Sequence, residues 1–337
     1  MKTLESFLQG KKLDDRLNED GLFLSEHLVA VVDGVTMGNW TIWYGQTGGL
    51  FSKNVLMKFL EEETAKGEEI VRKREEEAAL LAAREAEGLT EESGETGEDA
   101  GDAGSGDEEE KEKEPEEVPI WEMSPEDFFH AMNNVLRKKA EKCLEEQQEK
   151  QMALPTYGLI DIIEYPRASV IVYNDFYHEI WSYGGCNCRI GDRVYSHARK
   201  LNEMHARKRA QALEAEIAKG KTVEELLAHD VGKAFIAPDI HKKFYFENRD
   251  VPDGYAMLNG YKMNSRMILR YPVKEGTEIV LASDGYPVTG KTLAESEAAL
   301  ASLLQRDPLC FRLNKQMKGR GPLECSYDDR TYWRGVV

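Results

Sequence analysis

The sequence predicts an α+β protein built on antiparallel sheets, and three patterns favour this class. Residues 28–32 are five consecutive apolar residues, typical of a buried strand, and the run ends abruptly in Asp33-Gly34. Residues 159–183 contain three short apolar or alternating runs, and the turn Asn174-Asp175 separates the last two. Consecutive short strands with tight turns indicate antiparallel pairing. Helix-start signals such as Ser124-Pro125 lie between these strand-rich blocks.

Composition narrows the class of protein. The 337 residues carry a net charge of −18, from 44 Lys and Arg against 62 Asp and Glu. This balance argues against nucleic-acid binding through a basic face. No stretch approaches the ~20 apolar residues of a membrane span, and the N-terminus lacks an apolar signal segment. Five cysteines, an odd number in a long chain, indicate a reducing compartment. We therefore expect a cytoplasmic protein without nucleic-acid or membrane partners.

The acidic excess is concentrated in one stretch. Residues 88–117 hold 14 acidic residues and two lysines, so they carry −12 and leave the remainder at −6. Their Glu, Gly, Asp and Ser residues cannot bury enough apolar surface to become ordered. A helix predicted from about Leu50 to Leu60 continues into this stretch as a charged extension. We expect one domain, residues 1–337, in which residues 62–118 form a charged helical extension and a disordered acidic insertion.

Acidic residues cluster around the strand at 28–32. A hairpin formed by Gly21-Leu22-Phe23-Leu24 and this strand would bring Glu19 and Asp20 close to Asp33. Three carboxylates at one sheet end would repel one another and raise each other's pKa unless a cation balances them. Gly34 allows a sharp turn and a close approach of its carbonyl to a ligand. The pattern predicts a site for a hard cation, and a solvated acidic turn is the alternative.

The same pattern returns near the C-terminus. Residues 278–282 form a second apolar run, which ends in Ser283-Asp284-Gly285, and Asp328-Asp329 precedes a predicted last strand. Carboxylate and carbonyl oxygens suit Mg²⁺ or Mn²⁺ rather than zinc. The pair Cys186 and Cys188 has the wrong spacing for a structural zinc site, and no second pair follows. We interpret these two thiols as packing residues.

Four motifs in this order resemble the metal-dependent protein phosphatase (PPM) family, the protein phosphatase 2C-like group. The motifs are Glu19-Asp20, Val32-Asp33-Gly34, Ser283-Asp284-Gly285 and Asp328-Asp329-Arg330-Thr331, the last with Asp329 where the family usually has Asn. The resemblance covers residues 13–337 apart from the acidic insertion. It implies a four-layer α/β/β/α sandwich of two mainly antiparallel sheets flanked by helices.

The resemblance also implies a metal centre and a reaction. Asp33 would bridge two Mn²⁺ or Mg²⁺ ions, and Asp284 and Asp328 would complete the shell of one ion. The Gly34 carbonyl would serve the other ion, with the pair Glu19-Asp20 beside it and Glu19 acting through water. Such a centre activates water for attack on a phosphate monoester without a protein nucleophile. The implied activity is that of a serine/threonine phosphatase acting on phosphoproteins.

Two departures from the family pattern keep alternatives open. Asn187 stands where the family has an Asp for a third metal ion, so a third ion is in doubt. Arg16, the candidate for the phosphate-binding arginine, lies three rather than four residues before Glu19, and Lys11 and Lys12 are nearby alternatives. The second hypothesis is therefore a weak or inactive phosphatase-like binding module whose acidic insertion docks a protein partner. A third is a globular protein with unrelated Asp-Gly turns.

Overall fold

The computed structural model describes residues 1–35, 42–86, 117–149 and 165–337. The strands are β1 (Lys2–Gln9), β2 (Asp20–Leu24), β3 (Leu28–Gly34), β4 (Ala168–Asn174), β5 (Glu179–Tyr183), β6 (Asn187–Ile190), β7 (Arg193–Tyr195), β8 (Leu269–Pro272), β9 (Glu278–Ala282) and β10 (Arg330–Val336). The α-helices are α1 (Gly48–Ala86), α2 (Pro125–Glu149), α3 (Lys200–Ala218), α4 (Val223–Ala228), α5 (Val231–Lys243) and α6 (Leu293–Arg306). None of these helices combines the length and apolar character needed to span a membrane.

The described strands form two five-stranded sheets in which neighbouring strands are antiparallel. One sheet has the order β1-β10-β9-β6-β7, and the other has the order β2-β3-β4-β5-β8. The first and last strands of the chain, β1 and β10, are therefore neighbours in one sheet. Strand β3, which ends in Asp33-Gly34, and strand β9, which is followed by Ser283-Asp284-Gly285, lie in different sheets.

Strand β3 is buried on both faces, which explains its uninterrupted apolar run. On one face, Leu28, Ala30 and Val32 pack in a core with side chains of α1 and α2. On the other face, Val29 and Val31 pack in a second core with residues of β9 and β10. A third core lies between α6 and the outer face of the sheet that contains β9 and β10. The layers run α1/α2, sheet, sheet, α6, and the predicted four-layer sandwich of antiparallel sheets is confirmed.

Helices α3, α4 and α5 form an additional helical segment between β7 and β8. Arg209 of α3 is fully buried and donates hydrogen bonds to Asp230, which precedes α5, at 2.6 and 3.0 Å. The same guanidinium donates to the carbonyl oxygens of Leu309 and Gln316 at 2.9 Å. Arg209 therefore ties this helical segment to the loop that leads towards Asp328.

Several local predictions are confirmed. Helix α2 begins at Pro125 after the predicted cap, since Ser124 Oγ accepts a hydrogen bond from the Asp127 amide at 3.1 Å. The helix predicted to continue past Leu60 is a single 39-residue helix, α1. Strands β1, β6, β7 and β8 and helix α5 lie where the sequence predicted no strand or helix. The acidic residues 88–116 and the predicted strand at 159–164 lie outside the described residues.

Candidate metal centre

The β2–β3 hairpin brings the first set of acids together. Asp20 is paired with Asp33 across the two strands. The backbone N–H of Gly34 donates to the carbonyl oxygen of Glu19 at 2.9 Å, which extends the pairing by one position. Glu19 and Asp20 are both buried, at 4% and 2% exposure. The hairpin thus places Glu19, Asp20, Asp33 and Gly34 at one end of their sheet.

The second set of acids lies at the matching end of the other sheet. The backbone N–H of Ser283 donates to the Thr331 carbonyl at 3.1 Å, and the Thr331 N–H donates to Ser283 Oγ at 3.0 Å. Asp284 and Asp328 therefore flank the same sheet end. Thr331 Oγ1 donates to Asp20 Oδ2 at 2.9 Å, which joins the two sets directly.

The carboxyl groups of both sets interact electrostatically. Burial raises the pKa of Asp33 well above its usual value, and the charges of Asp284, Asp20 and Asp328 raise it further. The pKa of Asp20 is raised by burial and by Asp329 and Asp328. Loss of hydration around the carboxyl group and the nearby Asp328 raise the pKa of Asp284, although the residue as a whole still contacts solvent. Acids from four separate motifs thus share one centre.

Two lysines lie among these acids. Lys11 is only 8% exposed, and its Nζ lies 3.3–3.5 Å from carboxylate oxygens of Glu19, Asp328 and Asp329. Lys318 Nζ lies 2.6 Å from Asp328 Oδ1. Although burial acts in the opposite direction, Lys318 and Lys11 hold the pKa of Asp328 below its usual value. These two ammonium groups therefore balance part of the acidic charge.

The residue after Asp328 has a structural role. The Asp329 carboxylate accepts hydrogen bonds from the backbone N–H groups of Lys11 at 2.6 Å and Glu19 at 3.1 Å. It thereby fixes the two chain segments that carry these side chains. An Asn side chain has a single acceptor oxygen, so the carboxylate serves these two donors better.

The glycines of the two Asp-Gly motifs allow close backbone contacts. A Cβ atom on Gly34 would lie 2.2 Å from the Gly49 carbonyl oxygen, and one on Gly285 would lie 2.0 Å from the Asp329 carbonyl oxygen. A Cβ atom on Gly49 would lie 2.8 Å from the Gly34 carbonyl oxygen. The start of α1 therefore packs directly on the site, where Thr47 Oγ1 donates to Glu19 Oε1 at 2.6 Å.

Two residues singled out in the sequence lie in other surroundings. The Arg16 side chain is 89% exposed, and its guanidinium donates to the Asp14 carboxylate at 2.8 and 2.9 Å. The basic residue of this segment that reaches the acids is Lys11, one of the two alternatives. Asn187 Oδ1 accepts the backbone N–H of His197 at 3.0 Å. The side chain of Asn187 thus contributes to the local backbone structure.

The donor chemistry fits a hard divalent cation. The candidate ligands are carboxylates and the Gly34 carbonyl, all oxygen donors that Mg²⁺ or Mn²⁺ prefers. Among the residues that the structure describes, no hydrogen bond is directed at the carboxylate of Asp33 or Asp284. Two repelling carboxylates with raised pKa values and no donors are suited to a cation. Within the same residues, however, no three His, Cys, Asp or Glu side chains form a ready metal-binding group. Metal binding at Asp328 therefore requires that the Lys318 ammonium group move away from the Asp328 carboxylate.

Sequence reasoning missed two basic residues of this centre, Lys318 and Arg199. Lys318, which lies ten residues before Asp328, belongs to a short basic segment, Lys315 to Arg320, that offered a weak signal. Arg199 immediately precedes α3, and its charge acts on the pKa values of Asp33 and Asp284. Nothing in its local sequence indicates this position.

Comparison with known proteins gives matches among solved structures. No protein-family model matches the chain, and no curated protein matches it. The serine/threonine phosphatase PstP/Ppp of Mycobacterium tuberculosis is 14% identical, with a TM-score of 0.38, and 99% of this chain and 97% of that chain are covered. The catalytic domain of PstP in complex with two manganese ions is 13% identical, with a TM-score of 0.39 and both chains fully covered.

A third match is the serine/threonine phosphatase of S. agalactiae, which is 11% identical with a TM-score of 0.41. That match covers 100% of this chain and 99% of the other. These three solved structures, each similar to this chain along nearly its whole length, are of serine/threonine phosphatases.

Proposed function

We propose that this protein belongs to the metal-dependent protein phosphatases and hydrolyses serine or threonine phosphate esters in phosphoproteins with Mn²⁺ or Mg²⁺. The observation that supports this function most strongly is the convergence of Asp20, Asp33, Asp284 and Asp328 from four motifs and two sheets. If the two Asp-Gly turns were unrelated, nothing would require their carboxylates to lie close together. The resemblance of these motifs to the phosphatase family supplies the reaction class.

The residues divide into two groups around Asp33. Asp284 and Asp328 would hold one ion together with Asp33, and the Gly34 carbonyl would hold a second with Glu19 and Asp20 beside it. A pair of bound divalent cations supplies a nucleophilic water and stabilises charge on the phosphoryl oxygens. The chain itself fixes the carboxylates: Thr331 holds Asp20, Thr47 holds Glu19, and Asp329 holds the backbone of Lys11 and Glu19.

We expect the purified protein to hydrolyse a phosphothreonine peptide in the presence of Mn²⁺. Release of inorganic phosphate should stop when a chelator is added and return when excess Mn²⁺ is restored. Zinc should restore less activity, because an all-oxygen donor set favours harder cations. Hydrolysis that continues at the same rate in the chelator would contradict the proposal.

A phosphatase-like binding module is the second candidate, and the ion pair between Lys318 and Asp328 favours it. A permanent ammonium group at a metal ligand would lower the occupancy of the centre. Mn²⁺ binding without phosphate release from any phosphopeptide would support this candidate. The measured turnover therefore separates the two functions.

Replacing Lys318 by Met is expected to tighten Mn²⁺ binding by about tenfold or more. A hydrogen bond to a charged group contributes roughly 1.5–3 kcal/mol, and 1.4 kcal/mol corresponds to a factor of ten. Titration calorimetry with Mn²⁺ would measure the change. Lys315→Met is the matched control, because Lys315 is exposed and lies in the same loop. Equal or weaker Mn²⁺ binding by Lys318→Met would show that Lys318 does not compete for Asp328.

A further inference from the structure

Three cationic side chains gather between β4 and the helical segment α3–α5. Arg167 and Lys243 are buried, at 0% and 5% exposure, and Arg199 is half-buried. Arg167 Nε donates to both carboxylate oxygens of Glu247, at 2.8 and 2.9 Å. Tyr255 links the group, because its hydroxyl donates to the Lys243 carbonyl and to Glu247 Oε1 at 3.3 Å.

The other two cations have no carboxylate partner among the described residues. Lys243 Nζ lies 3.4 Å from the Asn202 Oδ1 atom, which is a neutral acceptor. Arg199 Nη2 donates to Ser169 Oγ at 2.9 Å, and the guanidinium carbon lies 4.7 Å from the centre of the Tyr255 ring. Neither Lys243 nor Arg199 forms an ion pair with another residue that the structure describes. The cluster therefore has more positive than negative charge.

These cations face the acidic centre. Ser169, the hydrogen-bond partner of Arg199, is paired with Asp33 across β4 and β3. A Cβ atom on Gly185 would lie 3.2 Å from Arg199 Nη2, so the glycine makes room for the guanidinium. The charges of Lys318, Arg199 and Lys243 all act to lower the pKa of Asp284. Arg199 and Lys243 thus lie on the side of the centre formed by the helical segment.

A charge that is buried without a partner is costly, and proteins keep one mainly where it serves a ligand. A guanidinium held by stacking and by a single hydroxyl retains donors that can bind an oxyanion in a bidentate manner. When Asp284 is engaged by a metal ion, it no longer offsets these cations. The surplus positive charge is then available to an anion at the centre.

We propose that Arg199, together with Lys243 when it carries a proton, forms an oxyanion-binding site beside the acidic centre, which holds an anionic group of the substrate. That the bound anion belongs to a phosphoprotein substrate rests on the proposed function. The ability of the site to bind an anion does not. The bound group is either the phosphoryl group itself or a second acidic group of the same phosphoprotein. Both groups are oxyanions. The two possibilities predict different effects of Arg199 variants on the binding of phosphate and of peptides.

The first arm of the test uses inorganic phosphate and the Mn²⁺-loaded full-length protein. If the site holds the phosphoryl group, Arg199→Met should weaken phosphate binding about tenfold or more in titration calorimetry. Arg199→Lys should recover part of this loss, because it restores the charge without the planar fork. The control is Arg193→Met, since Arg193 also stacks on a tyrosine, with its guanidinium carbon 4.8 Å from the Tyr195 ring centre.

The second arm uses peptides with a non-hydrolysable phosphonate in place of phosphothreonine, flanked by Glu or by Gln. If the site holds a second acidic group, Arg199→Met should leave phosphate binding intact and abolish the preference for the Glu-flanked peptide. The inference is overturned if Arg199→Met changes neither measurement, or if Arg193→Met changes them equally. Arg199-dependent anion binding without any turnover would leave the site in place and refute the proposed function alone.

Discussion

Replacing Asp33 by Asn is expected to lower Mn²⁺-dependent phosphatase activity by about 1000-fold or more. Asp33 is paired with Asp20 of its own sheet and interacts with Asp284 and Asp328 of the other. It is therefore the acid through which both halves of the centre are connected. Metal-assisted phosphoryl transfer depends on several kcal/mol of charge stabilisation, and 1.36 kcal/mol corresponds to tenfold in rate. Initial rates at saturating Mn²⁺ and calorimetric Mn²⁺ titrations would measure the loss.

The thermal stability of the metal-free variant provides a separate readout. Because Asp33→Asn removes one of several repelling carboxylates, we expect the variant to melt at the same temperature as the wild type or higher. Asp192→Asn is the control for activity, since Asp192 is exposed and pairs with Lys291. A fully folded Asp33→Asn variant that keeps more than a tenth of the activity would remove Asp33 from the centre.

Replacing Lys243 by Met is expected to stabilise the protein at neutral pH, with a gain that disappears in alkaline solution. Burial lowers the pKa of Lys243 from its usual value near 10.5 to about 7. The positive charges of Arg199, Lys318 and Arg167 also lower this pKa, whereas the negative charge of Glu247 raises it. At 1.36 kcal/mol for each pKa unit, this difference corresponds to several kcal/mol.

The sign follows from proton binding. Between pH 7 and 10.5 the unfolded chain holds a proton on Lys243 that the folded protein lacks, so the free energy of unfolding rises with pH in this window. Below pH 7 both states are protonated, and the full cost of burying the charge applies. Above about pH 10.5 both are neutral and the cost is gone. A Met side chain avoids this cost, so its advantage is largest at or below pH 7.

Urea denaturation of wild type and Lys243→Met at pH 7 and pH 10 would test this prediction. Lys242→Met is the matched control, because Lys242 lies on the same helix, is 73% exposed and pairs with Asp239. We expect its stability to stay within about 0.5 kcal/mol of the wild type at both pH values. A Lys243→Met variant that is less stable at pH 7, or equally stabilised at both, would contradict the lowered pKa. At or below pH 7, where Lys243 carries a proton, the same variant should bind phosphate more weakly than the wild type.

Features with a local cause were predictable from the sequence. The run at 28–32 predicted a buried strand because burial on both faces of a sheet requires apolar residues at consecutive positions. Capping residues predicted helix starts, and Ser124 caps the start of α2 by accepting a hydrogen bond from the Asp127 N–H. The approach of Glu19 and Asp20 to Asp33 was also predictable, since a hairpin with a short turn leaves few possible registers.

Features that depend on tertiary contacts were not predictable. Helix α5 contains Pro238 and lacks a clear apolar face, so its sequence resembles a loop. Strand β1 has a mainly exposed pattern because it lies at a sheet edge, where β10 is its one neighbour among the described strands. Lys318 and Arg199 reach the acids through loops whose paths the local sequence does not determine. Residue spacing drew attention to Arg16, whereas the fold directs Lys11 inward.

The division of the acids between two sheets has a consequence for folding. Glu19, Asp20 and Asp33 lie in or next to strands of one sheet, and Asp284 and Asp328 lie next to strands of the other. The hydrogen bond from Thr331 to Asp20 connects the two sets. Neither sheet alone holds a complete set of acids. Cation affinity should therefore emerge only after the two sheets have docked, which would make a luminescent lanthanide a late reporter of refolding in this protein.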